Sequence, residues 1–144
     1  MGATIEEREA EVIAELKAFP DWKDRYRHLM ELGRALPPMP EDDKTETNRV
    51  KGCQSQVWLT ARCADGLVHL QAASDSAIVS GLVALVLRVY SGQPSEAILR
   101  TPPQFINELG LGKHLTQARA NGLAAMVKQV KLFAFVFAQQ ALAR

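Results

Sequence analysis

Cys53 follows Gly52 in the segment Val50-Lys51-Gly52-Cys53-Gln54-Ser55-Gln56-Val57-Trp58, at the mouth of an expected β-strand. A thiol so placed can do chemistry. Glycine accepts positive φ and lets the backbone pass close to another surface, so the residue after it can sit on a sharply turned loop tip. Arg49 and Lys51 flank the cysteine. Nearby cations favour the thiolate, which is the form that attacks sulfur or binds metal. Against this stands the habit of free cysteine to be buried as a small hydrophobe. On residue types alone the two readings weigh evenly.

The elements that must position this thiol follow from periodicity and punctuation. Thr4 with Glu7 forms a capping box, after which Ile5, Val12, Ile13, Leu16 and Phe19 recur on one helical face until Pro20. Asp21 caps a second helix, whose stripe is Trp22, Tyr26, Leu29, Met30 and Leu36, and Pro37-Pro38-Met39-Pro40 ends it. The polar, proline-rich stretch to Asn48 is expected to be a surface loop, ordered only in part. Asp65-Gly66 is a type I′ hairpin signal that pairs Cys63 with Val68, Ala61 with Leu70, and Leu59 with Ala72, all on one face. That register makes Cys63 a core residue rather than a resolving partner for Cys53. A short strand near Asn48–Lys51 completes the expected three-stranded antiparallel sheet.

Asp75 or Ser76 caps a nearly all-apolar helix to about Ser91, with Gly92 as its stop. Ser80 and Arg88 interrupt its apolar run well short of the roughly 20 residues of a membrane span, so it reads as a central helix against the sheet. Short helices start at Pro94-Ser95-Glu96 and Pro102-Pro103, with Gly110 and Gly112 as stops. A long final helix starts near Thr116 with Met126, Val130, Phe133 and Phe137 in its core stripe. Leu132, Phe135 and Val136 are left over, for burial or, less favoured, for a subunit contact. The fold class is therefore α+β, a small antiparallel sheet against a layer of helices.

Composition bounds the rest. At 144 residues, 47% hydrophobic and a formal net charge of +1, the chain fits one globular domain, 1–144, with material for a core. The charge balance offers no basic field for nucleic acid. Acidic residues follow Met1 where a secretory signal would be basic and then apolar, and Glu6 stands where a myristoylation motif wants serine or threonine. Two cysteines build no disulfide framework and, with scattered histidines, no metal site is expected. A reducing cytoplasm is the simplest compartment.

Gly52-Cys53-Gln54-Ser55-Gln56-Val57-Trp58, then the nine-residue block Ser74–Leu82, then His114-Leu115-Thr116 with Arg119, Asn121-Gly122-Leu123 and Met126, resemble the SufE family in order and spacing. Gln54-Ser55-Gln56 resembles SufE proper rather than the sister CsdE proteins. The resemblance implies a SufE/IscU-like fold without a resident cofactor. It also implies that Cys53 accepts persulfide sulfur from a pyridoxal-phosphate (PLP)-dependent, SufS-like cysteine desulfurase, and relays it toward a SufBCD-like iron–sulfur scaffold. The residues it places in support are Gly52 as a hinge, Gln54, Asp75 near the cysteine loop, and Arg119 for docking or sulfur handling. Family members form homodimers, which makes a second copy a further implied partner. One departure is mild: Gln117-Ala118 stands where the family more often has Pro-Ser before Arg119.

Asp75 and Arg119 also have plainer readings. Asp75 would serve as a helix N-cap. Arg119 breaks a local rule, because the first turn of a helix disfavours cations, but an exposed arginine there costs only tenths of a kcal/mol. His114 beside Leu115 is more often packed or solvated than an acid or base, and takes no role. Two further functions compete with sulfur transfer: a regulator that stimulates a desulfurase without carrying sulfur, and an IscU-type cluster scaffold, which would need several thiolates. A self-sufficient thiol peroxidase is weaker, for want of a resolving cysteine and a clear base.

Overall fold

The structure is a computed structural model that describes residues 2–143; Met1, read above with the acidic start of the chain, lies outside them, as does Arg144. The first two helices form as expected. In α1 (Ile5–Lys17) the Thr4 hydroxyl accepts from the Glu7 amide while the Glu7 carboxylate accepts from the Thr4 amide. Ile5, Val12 and Leu16 are buried in the core. Glu9 joins them, because its carboxylate accepts from the Phe105 amide at 2.9 Å and so satisfies an open donor of a later helix. In α2 (Trp22–Arg34) Asp21 occupies the cap position without making a side-chain capping bond.

The loop after α2 is better built than its composition suggests. Residues Glu41–Asp43 form one 3-10 turn, Met39 is buried, and the Asn48 side chain donates to the Asp43 carbonyl at 2.8 Å.

The hairpin of β1 (Val57–Ala64) and β2 (Leu67–Ser74) has the expected register, with Cys63 opposite Val68, Ala61 opposite Leu70 and Leu59 opposite Ala72. Asp65 and Gly66 both take positive φ, 55° and 77°, as a type I′ turn requires. The third strand differs from expectation. It is β3 (Gln93–Pro94), which pairs with β2, so that the order is β1-β2-β3. The Asn48–Lys51 segment contributes a single antiparallel bridge, Arg49 to Trp58, on the other side of β1.

Cys63 is exposed, which corrects its assignment to the core. It shares a face with buried Leu59, but it lies by the turn, beside Phe137, Ala138 and Ala141 at a surface cleft. Strand periodicity names a face; it does not say how far the helices cover it.

The central helix α3 (Ala77–Tyr90) packs on the hairpin and on α2, with Leu82, Leu85, Val86 and Val89 buried. Its backbone touches that of α2. A Cβ built on Gly81 would stand 2.2 Å from the Leu29 carbonyl oxygen, far inside contact, so only glycine fits this crossing. Three short helices follow, α4 (Ser95–Arg100), α5 (Gln104–Glu108) and α6 (Leu111–His114); Gly112 lies within α6 instead of ending a helix.

The last helix, α7 (Gln117–Leu142), is long and apolar enough to cross a bilayer by length and composition, yet Leu123, Met126, Val127, Val130 and Ala134 are buried against the fold, chiefly on α4 and α3. Leu132, Phe135 and Val136 are about half exposed, so the favoured reading of simple burial is corrected. The architecture is α+β, a three-stranded antiparallel sheet with seven α-helices among the described residues.

Candidate functional site

The cysteine loop is held at both ends. Upstream, the Val50 amide donates to the Val57 carbonyl at 2.8 Å and the Leu59 amide to the Asn48 carbonyl at 2.9 Å, which closes residues 50–57 into a loop. At its turn Gly52 has φ +91°, a conformation that a side chain strains, and a Cβ there would also press on Ala125 of α7 at 3.4 Å. Downstream, Asp75 Oδ1 accepts from the Gln56 amide at 3.0 Å, and the Asp75 amide donates to the Gln56 carbonyl at 3.3 Å. Asp75 is thus a latch on the loop. The N-cap of α3 is Ser76, whose hydroxyl accepts from the Val79 amide, so the capping reading of Asp75 is corrected.

The half-buried Cys53 side chain faces α7, its Sγ 3.6 Å from the main-chain carbonyl oxygen of Gly122, to which the thiol can donate. A Cβ on Gly122 would stand 3.5 Å from that sulfur. The helix backbone therefore forms the floor of the site. Beside the sulfur opens a cavity of about 210 Å³, lined among others by Gln54, Ser76, Val79, Thr116, Arg119 and Met126. The residues around the thiol come from three places in the chain: the loop, the start of α3 and the first turns of α7.

Arg119 belongs to this wall. Thr116 caps α7 by accepting from the Arg119 amide, and the first turn contains no acid. The Arg119 side chain is exposed and forms no salt bridge among the described residues. The cation that acts on the thiol is a different one. Burial pushes the Cys53 thiol above its ordinary pKa, and Arg49 pulls it partly back. Lys51, the other flanking cation, is exposed and lies 3.4 Å from Glu46.

Of the residues that the family resemblance implies, Cys53, Gly52 and Gln54 lie on this loop, Asp75 latches its end, and Arg119 lines the cavity beside it. The Gly122 carbonyl and Val79 are parts of the site for which the resemblance implies no role. A glycine inside an otherwise helical pattern is the available signal for the first, since it costs helix stability and leaves the backbone open to close approach. Cys63 is remote. It adjoins α7 at Ala138, sixteen residues beyond Gly122 and about 24 Å along the axis at 1.5 Å per residue. His114 is exposed, stacked on Trp22, and does not line the cavity.

A small α+β protein that carries one half-buried thiol on a glycine-turned loop, floored by a helix backbone and open to one side, is the class that fold and site define. The family described as SufE, Fe-S metabolism associated domain, matches residues 10–134. Two uncharacterized SufE-like proteins are similar: that of Rhizobium meliloti (strain 1021) at 41% identity over 126 residues, 84% of this chain and 90% of the relative, and that of Rhizobium etli at 39%, covering 84% and 85%. A solution structure of a hypothetical protein from Thermus thermophilus superposes with a TM-score of 0.74 at 25% identity, covering 95% of this chain and 97% of the other. The chain belongs to the SufE family and takes part in iron–sulfur metabolism.

Proposed function

We propose that this protein is a sulfur acceptor which takes persulfide sulfur from a PLP-dependent cysteine desulfurase onto Cys53, stimulates that enzyme's turnover, and passes the sulfur toward an iron–sulfur cluster scaffold in the cytoplasm. The Cys53 thiolate attacks the outer sulfur of the desulfurase persulfide. A new S–S bond forms on Cys53, the S–S bond on the donor breaks, and the donor cysteine leaves as a thiolate. No outside oxidant or reductant is needed.

The observation that carries the reading is the cavity beside Cys53. Its volume of about 210 Å³ is several times the ~30 Å³ share of one water, so there is room for an added sulfur under the cover of α7. Cover suits a carrier, because an exposed persulfide is open to reduction and oxidation by small solutes. It also has a cost, since burial pushes the Cys53 pKa up and so disfavours the thiolate that attack requires. Opening of the loop, or charge received from the partner, on docking would raise the thiolate fraction. The Asp75 latch and the Gly52 turn are the points where it would release.

Intact mass spectrometry after incubation with a cysteine desulfurase and L-cysteine tests this. A reducible gain of one or more sulfur atoms is expected on the wild type and on Cys63→Ser, and none on Cys53→Ser. If Cys53→Ser stimulates the desulfurase fully and wild type gains no sulfur, the protein is a non-covalent regulator instead. A cluster scaffold would need several thiolates together, and Cys63 lies far from Cys53.

A further inference from the structure

A group of side chains on α2, outside the Cys53 cavity, grips the segment that leads into α7. The Trp22 ring stacks on the His114 ring with centroids 4.2 Å apart and planes 16° from parallel. The Tyr26 hydroxyl donates to the His114 main-chain carbonyl. The group is itself braced: Trp22 and Tyr26 rings pack at 5.5 Å, Arg25 lies over the Trp22 ring at 5.0 Å, and Arg25 Nε donates to the Phe19 carbonyl at 2.7 Å. His114 ends α6, and two residues later Thr116 caps α7. Thr116, Ala118, Arg119 and Gly122 are then the wall and floor of the cysteine cavity.

α6 has four residues; buried Leu111 and Leu115 anchor it in the core, while the exposed side of its last residue is met by α2. His114 is exposed, and its ring and main-chain carbonyl take their partners from α2. We infer that Trp22 and Tyr26, acting through the ring and carbonyl of His114, are positioning residues that hold the Thr116–Arg119 wall against the Cys53 loop. The inference deepens the sulfur-acceptor reading and rests on it for its functional meaning: the wall that Arg119 presents to a docking desulfurase is set from α2. A stack and a hydrogen bond are directional, so they specify where the wall stands as well as that it is attached.

The two cysteines supply the test, since Cys63 is exposed at the far end of α7 and serves as an internal reference in the same molecule. Iodoacetamide is applied to folded protein, and the ratio of Cys53 to Cys63 alkylation rates is read by peptide mass spectrometry. Tyr26→Phe keeps the ring and loses the donor; His114→Ala loses the stack at an exposed position where folding is safe. Both are expected to raise the ratio several-fold, and His114→Phe, which restores a stacking ring, is expected to return it to the wild-type value. General destabilisation would also raise the ratio, since Cys63 is exposed already. The unfolding free energy of each variant is therefore measured by urea denaturation, and a rise in Cys53 labelling no larger than global unfolding accounts for overturns the inference. An unchanged ratio in both Tyr26→Phe and His114→Ala overturns the inference, and equal ratios for His114→Phe and His114→Ala overturn the part played by stacking. Sulfur loading by desulfurase is measured alongside. If wild type takes no sulfur while the alkylation ratio shifts as expected, the sulfur-acceptor reading fails and the positioning role stands.

Discussion

The sulfur of Cys53 lies 3.6 Å from the main-chain carbonyl oxygen of Gly122, so the thiol of one loop is seated on the bare backbone of the longest helix. The carbonyl can accept from a thiol, whereas it offers a thiolate only the negative end of a dipole. The contact therefore acts in the same direction as burial and favours the protonated, resting form.

Gly122→Ala separates stability from function. Alanine is favoured over glycine in a helix interior by roughly 0.5–1 kcal/mol, and its methyl would meet the Cys53 sulfur at ordinary contact distance, 3.5 Å. The melting temperature is expected to hold or rise, while the rate of sulfur loading onto Cys53 falls because the methyl fills the floor of the cavity. Differential scanning calorimetry and timed mass spectrometry would read the two effects.

Asp75→Ala is expected to release the cysteine loop. It removes the acceptor for the Gln56 amide, a bond worth about 1 kcal/mol, and leaves the Ser76 cap of α3 in place. Iodoacetamide should then label Cys53 faster with little change in the rate at Cys63, and hydrogen exchange should quicken around residues 52–56 while α3 stays protected.

The pH dependence of Cys53 alkylation should rise at higher pH than that of an ordinary thiol, because only the thiolate reacts and burial lifts the pKa. Arg49→Ala should move the rise higher still, since Arg49 is the charge that lowers it. The folded thiol holds its proton more tightly than the unfolded one. The shift therefore contributes stability that is fully present below the unfolded pKa and is lost as pH rises through the folded value.

Gly81→Ala should damage the fold itself. A methyl 2.2 Å from the Leu29 carbonyl oxygen forces α2 and α3 apart, and overpacking of this kind costs typically about 1–3 kcal/mol. Urea denaturation should show a lower midpoint, and Gly33→Ala, whose methyl would meet Gly81 N and Ser80 Cβ at 2.7 Å, should act in the same direction.

Local signals act within a few residues and are therefore legible in the sequence. The capping box at Thr4 and Glu7, the Asp65-Gly66 turn with its hairpin register, and the start of the last helix at Thr116 depend on neighbours in the chain and stand as expected. The cysteine block, with the family resemblance, implies Cys53, Asp75 and Arg119 from short stretches of sequence. What local signals do not carry is which surfaces meet. The same periodicity that put Leu59 and Ala72 in the core also put Cys63 on their face, but Cys63 lies near the turn and is exposed.

By itself the amino-acid sequence determined an α+β chain with a paired hairpin, a glycine-led cysteine and helices in known order, since caps, turns and apolar periods are properties of short segments. Tertiary structure alone decided that β3 rather than the Asn48–Lys51 segment completes the sheet and that Ser76 rather than Asp75 caps α3. It also decided that Gly122 meets the Cys53 sulfur and that Trp22 and Tyr26 reach His114. These contacts join residues 69 and 88 positions apart in the Cys53–Gly122 and Tyr26–His114 pairs. Their existence depends on how α2 and α7 pack around the central helix, a balance of packing summed over the whole core that no short window of sequence contains.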